Sequence, residues 1–83
     1  MTKQIYTLRD NTVEVYNQPF YTFSKEQAER DMLYMANDKD HNIGKNPEQY
    51  ALYHLGEYDD STGKFNLNDA PLHVVNLADL RKD

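Results

Sequence analysis

The sequence predicts an α+β domain, a largely antiparallel sheet of four to five strands with one main helix packed on one face. Three observations carry this. Short runs rich in Tyr, Phe, Val, Ile and Leu alternate with clusters of Asn, Asp, Gly and Pro over most of the 83 residues, which is strand and turn composition. A single stretch, about residues 25–36, has helical periodicity and follows a capping signal. The segment Leu52-Tyr53-His54-Leu55-Gly56-Glu57-Tyr58-Asp59-Asp60-Ser61-Thr62-Gly63-Lys64-Phe65 reads as a strand, a turn and a return strand. Helices and strands segregated in this way give one helical layer on one sheet.

In chain order, residues 4–9 carry Ile5, Tyr6, Thr7 and Leu8 and fit a pleated surface; Arg9-Asp10-Asn11 supplies turn formers, and Thr12 to Tyr16 returns as the second arm of a hairpin. Pro19 cannot donate to a ladder, so Asn17-Gln18-Pro19 interrupts the sheet before a short extended piece, Phe20 to Phe23. Ser24 and Gln27 form a Ser-x-x-Gln capping box, with Phe23 and Ala28 at the staple positions. Ala28, Met32, Met35 and Ala36 follow as one apolar stripe that Leu33 widens, and Glu26 with Arg30 makes an i,i+4 pair. The helix is expected over Lys25 to Ala36.

Asn37 to Pro47 is the most polar stretch and is expected to be a mobile surface loop holding one isolated apolar residue, Ile43. Tyr50 to Tyr58 has apolar residues on both faces, the pattern of a strand inside a sheet. After the turn at Asp59 to Gly63, Lys64 to Leu67 returns, Asn68-Asp69-Ala70-Pro71 breaks, and Leu72 to Leu77 gives a last strand. The tail 78–83 is expected either to close as a helical turn or to fray. The whole reads as one domain, 1–83, with no repeat and no linker.

Composition narrows function. A chain of this size buries only somewhat more of its surface on folding than the roughly 60% of a 60-residue domain, so partner contacts matter to its stability. Ten aromatics, seven Tyr and three Phe, argue against disorder. The absence of cysteine removes disulfides, thiolate metal sites and a catalytic thiol. There is no apolar leader and no run of about 20 apolar residues, so a soluble protein of a reducing cytoplasm, without membrane contact, is expected. Nine Lys and Arg against fourteen Asp and Glu give a net charge of −5, which disfavours a strong nonspecific DNA-binding monomer.

No motif survives comparison with real catalytic or ligand chemistry. Ser61-Thr62-Gly63-Lys64 lacks the glycine spacing and following helix of a phosphate loop. Asp59 and Asp60 lack the alternating ligands and closing Glu of a calcium loop. His41, His54 and His73 have no metal-ligand spacing and read as satisfied sheet or loop histidines. A domain this small rarely encloses a pocket of several hundred Å³, so neither an enzyme nor a cofactor is expected. The tyrosines exceed what one sheet face can bury, and exposed aromatics stack on bases or anchor protein partners.

Taken together, Gln4-Ile5-Tyr6-Thr7-Leu8-Arg9-Asp10, Gln18-Pro19-Phe20-Tyr21, Leu52 to Phe65 and Pro71-Leu72-His73-Val74-Val75-Asn76-Leu77 resemble the small nonstructural protein of gokushovirus-type microviruses, phages with circular single-stranded DNA genomes. The resemblance covers nearly the whole chain and contains no catalytic motif. It implies a nonenzymatic part in the phage cycle, in DNA binding or in single-stranded genome synthesis and packaging.

Two readings follow. In the first, Tyr and Phe stack on single-stranded DNA while Lys3, Arg9, Lys25 or Lys64 contact phosphates. In the second, the chain is a protein-interaction module that self-associates as a homodimer, or engages the replication-initiation or capsid proteins, without touching DNA. Tyr53 and Tyr58 alternate to opposite faces of their strand, so at most one packs under the helix unless a bulge intervenes; the other is the first aromatic contact to test.

Overall fold

The computed structural model describes residues 1–82. Strand β1 (Thr2–Asp10) is the spine of a curled antiparallel sheet. One edge of β1 is shared by two short strands, β2 (Val15–Tyr16) and β3 (Phe20–Thr22), and the other pairs with β4 (Tyr50–Asp59), which in turn pairs with the long outer strand β5 (Lys64–Asn76). Helix α1 (Lys25–Ala36) packs across one face.

The expected hairpin forms, but its second arm is two residues long, pairing Arg9 with Tyr16 and Asp10 with Val15. Glu14 takes a positive φ of 57° in the turn, which removes Thr12 to Glu14 from the ladder. The chain then crosses the same edge of β1 and pairs Gln4 with Thr22, Ile5 with Tyr21 and Tyr6 with Phe20. Two hydrogen bonds anchor the crossing at Asn17: its amide donates to the Leu8 carbonyl at 2.8 Å, and the Thr7 hydroxyl donates to its carbonyl at 2.6 Å.

Helix α1 has the expected bounds because its cap is built as the sequence implies. Ser24 Oγ accepts the Gln27 amide at 3.1 Å, and the Gln27 side chain reaches back to accept the Phe23 amide at 2.9 Å. Phe23 stays 66% exposed, so the apolar staple does not form. Ala28, Met32 and Ala36 are buried against Tyr6, Leu8 and Leu52, with Met35 partly buried beside them. The ion pair on the exposed side joins Lys25 to Glu29 at 3.7 Å, one residue earlier than the expected Glu26 and Arg30.

The polar stretch 37–47 is more structured than its composition suggests. It contains a short helix α2 (Asn42–Lys45) capped by the His41 ring, which accepts the Ile43 amide at 3.1 Å. Ile43 is buried in the main core rather than isolated. Gly44 packs so tightly that a Cβ there would overlap the Asp38 carbonyl. The tail closes as a 3-10 turn over Leu77–Leu80. Asn37 ties it down, donating to the Leu80 carbonyl at 3.0 Å and accepting the Lys82 amide at 2.7 Å, while Arg81 donates to the Gly44 carbonyl at 2.8 Å. Leu77, fully buried, is the plug between the helices and the sheet. Asp83 lies outside the described residues.

The largest departure is in the sheet. Asn68 to Pro71 does not end a strand; β5 runs through it as a bulge in which four residues face one, Leu55, since Leu67 pairs with Gly56 and Leu72 with His54. The partner β1 sees the same irregularity, because Ile5 pairs with Gly56 and Tyr6 with His54, leaving Leu55 unmatched. His54 closes the gap. Asn68 Nδ2 donates at 3.0 Å to both His54 Nδ1 and the His54 carbonyl, so Nε2 carries the proton that Gln4 Oε1 accepts at 2.8 Å. The ring also lies edge-on to Tyr6, 5.0 Å between centroids. His54 is thus a satisfied structural histidine.

Gly56 makes the bulge possible. Its φ is 146°, and a Cβ would lie 2.4 Å from the Asn66 carbonyl oxygen and 2.7 Å from Leu67 Cα. Gly56→Ala is therefore expected to lower unfolding free energy by at least about 2 kcal/mol in urea titration. Gly63→Ala, at φ 73° with no atom within 4 Å, is expected to cost about 1–2 kcal/mol, from backbone strain alone.

Tyr6 gives a second expectation. Burial, then the nearby charges of Glu29 and Glu26, push its phenol above the ordinary value of 10.0. The unfolded chain therefore releases this proton first, so the group's contribution is complete below pH about 10 and is lost as pH rises through the folded value. Melting temperature followed from pH 8 to 11 should fall more steeply in the native protein than in Tyr6→Phe.

Candidate nucleic-acid interface

Residues paired across antiparallel strands share a face, so the register sorts every strand residue. Tyr6, Leu8, Leu52, His54 and Phe20 lie on the helix side, as their packing confirms. Lys3, Ile5, Thr7 and Arg9 lie on the opposite side, which no helix covers. Ile5 and Ala51 are buried yet stand apart from the cluster around α1. With Thr7, 1% exposed, they form the floor of this open face.

On that floor stand two aromatic rows. Thr7 pairs with Tyr53, whose ring meets Tyr16 on one side and His73 on the other, each edge-on at 5.4 Å between centroids. Lys3 pairs with Tyr58, whose ring meets Tyr21 at 6.0 Å and Phe65 at 4.9 Å. Thr7 and Lys3 are four residues apart, so at about 3.4 Å per residue the rows lie about 14 Å apart along the strands. Tyr21 and Phe65 are half exposed.

Each row has one cation. The Arg9 guanidinium lies 5.7 Å over the Tyr16 ring and hydrogen-bonds the Asn11 side chain. Lys3 sits beside Tyr58 in the second row. No described carboxylate is paired onto this face by the strand register: Asp10, Glu57 and Asp59 pair on the helix side, Glu14, Asp60 and Asp69 fall in turns or the bulge, and the others are on helices, their flanks and loops. Asp60, in the turn after β4, is near enough to Lys3 for the lysine charge to help the Met1 ammonium hold its carboxyl low, and most of the net charge of −5 sits elsewhere on the surface.

The bulge decides this arrangement. Were Leu55 a regular strand position, strict alternation would put Tyr58 on the side opposite Tyr53; because it bulges out of the register, both tyrosines project from the open face, and neither packs under the helix. Lys3, Arg9, Tyr53 and Tyr58 are thereby brought together. The other two expected contacts are not. Lys25 lies on α1, paired to Glu29, and Lys64 pairs with Asp59 on the helix side of the register. Tyr16, Tyr21, Phe65 and His73 join the face without having been singled out as sites. Their sequence signal was the surplus of aromatics; their convergence depends on pairings between strands far apart in the chain.

The remaining candidates stay structural. Asp59 accepts the Ser61 amide at 2.9 Å and its carbonyl accepts Gly63 at 2.8 Å, which is turn chemistry. Asp60 binds the Met1 ammonium at 2.7 Å, and this hydrogen bond holds its carboxyl below the ordinary value. Among the described residues no three His, Asp or Glu side chains gather as a metal site, and no helix is long and apolar enough to cross a membrane. A groove of about 460 Å³ between α1 and the sheet, lined by Leu8, Phe20, Asp31, Met32, Tyr34 and Met35, contains one carboxylate and no base paired to a nucleophile.

No curated protein and no solved structure matches the chain. The model of one family, described as Phage ORF5 protein, matches residues 3–80, a span that contains both aromatic rows and both cations. The chain belongs to the Phage ORF5 protein family and is a small phage accessory protein.

Proposed function

We propose that this accessory protein binds single-stranded DNA on the open face of its sheet, in a phage of the microvirus type, and acts there in genome synthesis or packaging. The observation that carries the reading is the pair of aromatic rows, each with its own cation and neither with a carboxylate paired into it across the strands. Bases stack on the rings while Lys3 and Arg9 take the phosphates between them. A stacking contact is sequence-tolerant, because every base has a π-face, and contributes about 1–3 kcal/mol. Bases paired in a duplex have both faces covered and cannot reach the rings. The face therefore favours single strands.

Fluorescence anisotropy with a labelled oligonucleotide, at several salt concentrations, tests this. Tyr53→Ala and Tyr58→Ala should each weaken binding by about tenfold, whereas Tyr58→Phe should retain it. Lys3→Gln and Arg9→Gln should each reduce the slope of log affinity against log salt by about 0.7. Lys25→Gln and Tyr34→Ala should leave both quantities unchanged. Absence of binding at low salt with tens of micromolar protein, or equal loss from the helix-side variants, would sink the proposal.

A further inference from the structure

The outer edge of β5 is divided into two unlike halves. The C-terminal half has the features that keep sheet edges from pairing, a bulge over Asn68 to Pro71, the proline itself and the charge of Asp69. The N-terminal half has none of these between Phe65 and Leu67, and there it exposes apolar side chains, Phe65 at 56% and Leu67 at 60%. Both pair toward the open face, through Tyr58 and Gly56. An exposed, unbroken edge that is apolar on one side is a template for another strand.

We infer that a second copy of this chain occupies it, β5 pairing antiparallel with β5 about a twofold axis at Asn66. In this register Phe65 faces Leu67 of the other copy and the reverse, so the apolar pair is self-complementary. Any shift by one residue would set these side chains against the polar Asn66, Asn68 or Lys64. Lys64 of one copy comes beside Asn68 and Asp69 of the other, so the charges at the ends are complementary. An axis normal to the sheet keeps both open faces on the same side. The row Tyr21, Tyr58, Phe65 then continues into its counterpart, and the cations double from two to four. The pairing itself stands on the edge geometry; that the joined face is one longer DNA track rests on the function proposed above.

The contact is short, well below the roughly 800 Å² per partner of a stable interface, so the dimer is weak alone and is strengthened when one DNA strand spans both copies. Sedimentation equilibrium of the full chain, from about 10 to 500 µM, with and without a thymidine oligonucleotide of about 30 nucleotides, tests it. Dimer mass should appear with rising concentration, and at lower concentration with the oligonucleotide. The Phe65→Lys, Leu67→Lys double variant should weaken self-association at least tenfold, by setting like charges opposite one another. Mixing it with the Phe65→Glu, Leu67→Glu variant should restore dimer mass, and circular dichroism should show both variants folded. Monomer mass at all concentrations and with oligonucleotide, or a dimer indifferent to the double substitution, overturns the inference. A dimer that obeys the charge swap yet binds no oligonucleotide upholds the pairing and removes only its DNA role.

Discussion

The placing of the aromatic rows depends above all on one unmatched residue of β4, with a second irregularity in β5, where Val74 is skipped between the Val75 and His73 pairings. Leu55 has no partner in β1 and faces four residues in β5, and everything beyond it on β4 is shifted by one position. Because side chains alternate with period two, that shift exchanges faces for the whole distal half of the strand. Before the bulge, β4 sends Leu52 and His54 to the helix and Tyr53 to the open side. After it, Glu57 goes to the helix side and Tyr58 joins Tyr53. A regular strand of the same composition would divide the two aromatic rows between faces and bring Glu57 onto the open one. The constraint is covalent in origin, since only glycine fits between Leu55 and the backbone of Asn66 and Leu67 at φ 146°. It is then secured by Asn68, whose side-chain amide donates to the His54 carbonyl in the interrupted ladder, and by the side-chain hydrogen bonds that link Asn68, His54 and Gln4 across the gap.

Much of the fold was legible because it is encoded locally. The Ser24 cap, the Ala28 to Ala36 stripe and the turn at Asp59 to Gly63 each depend on residues within one or two turns of one another, and the structure has them where the sequence puts them. Ile43, by contrast, looks isolated in a polar loop because its partners lie in other elements. Likewise Asn68 to Pro71 carries every sign of a strand end. It continues as strand because the neighbouring strand β4, at Leu55, is irregular too, and that cooperation is not visible in either segment alone. The open face was legible in composition and illegible in position. Seven tyrosines announce more aromatic area than a core of this size can hold, but which of them meet depends on register.

Register also removes the apparent conflict between an acidic chain and a nucleic-acid surface. Net charge governs the field at long range, and at physiological ionic strength that field is screened within about 8 Å. What a bound strand experiences is the local set of charges. Here no described carboxylate is paired onto the open face, although Asp60 lies within charge range of Lys3, and Lys3 and Arg9 stand among rings. Such a surface lacks the broad positive potential that draws in duplex DNA from a distance. Its affinity must come instead from short-range contact.

That division sets the balance between stability and function in so small a chain. The core on the helix side is assembled from Tyr6, Leu8, Met32, Leu52, Ile43 and Leu77 with small alanines between, while Tyr16, Tyr21, Phe65 and Leu67 remain 43% to 60% exposed. Aromatic area of this extent left in water is stabilising only when something covers it. A thin core tolerates this because Ile5, Thr7 and Ala51 are buried beneath the rings, so the open face is a second, shallow packing layer rather than bare backbone. Three edge-on contacts and one tilted contact, Tyr58 with Phe65, hold the rings at 4.9 to 6.0 Å spacing before any ligand arrives, which reduces the ordering cost of binding. The same contacts make the rows collective, since removing Tyr53 or Tyr58 from the middle of a row withdraws support from the ring on either side.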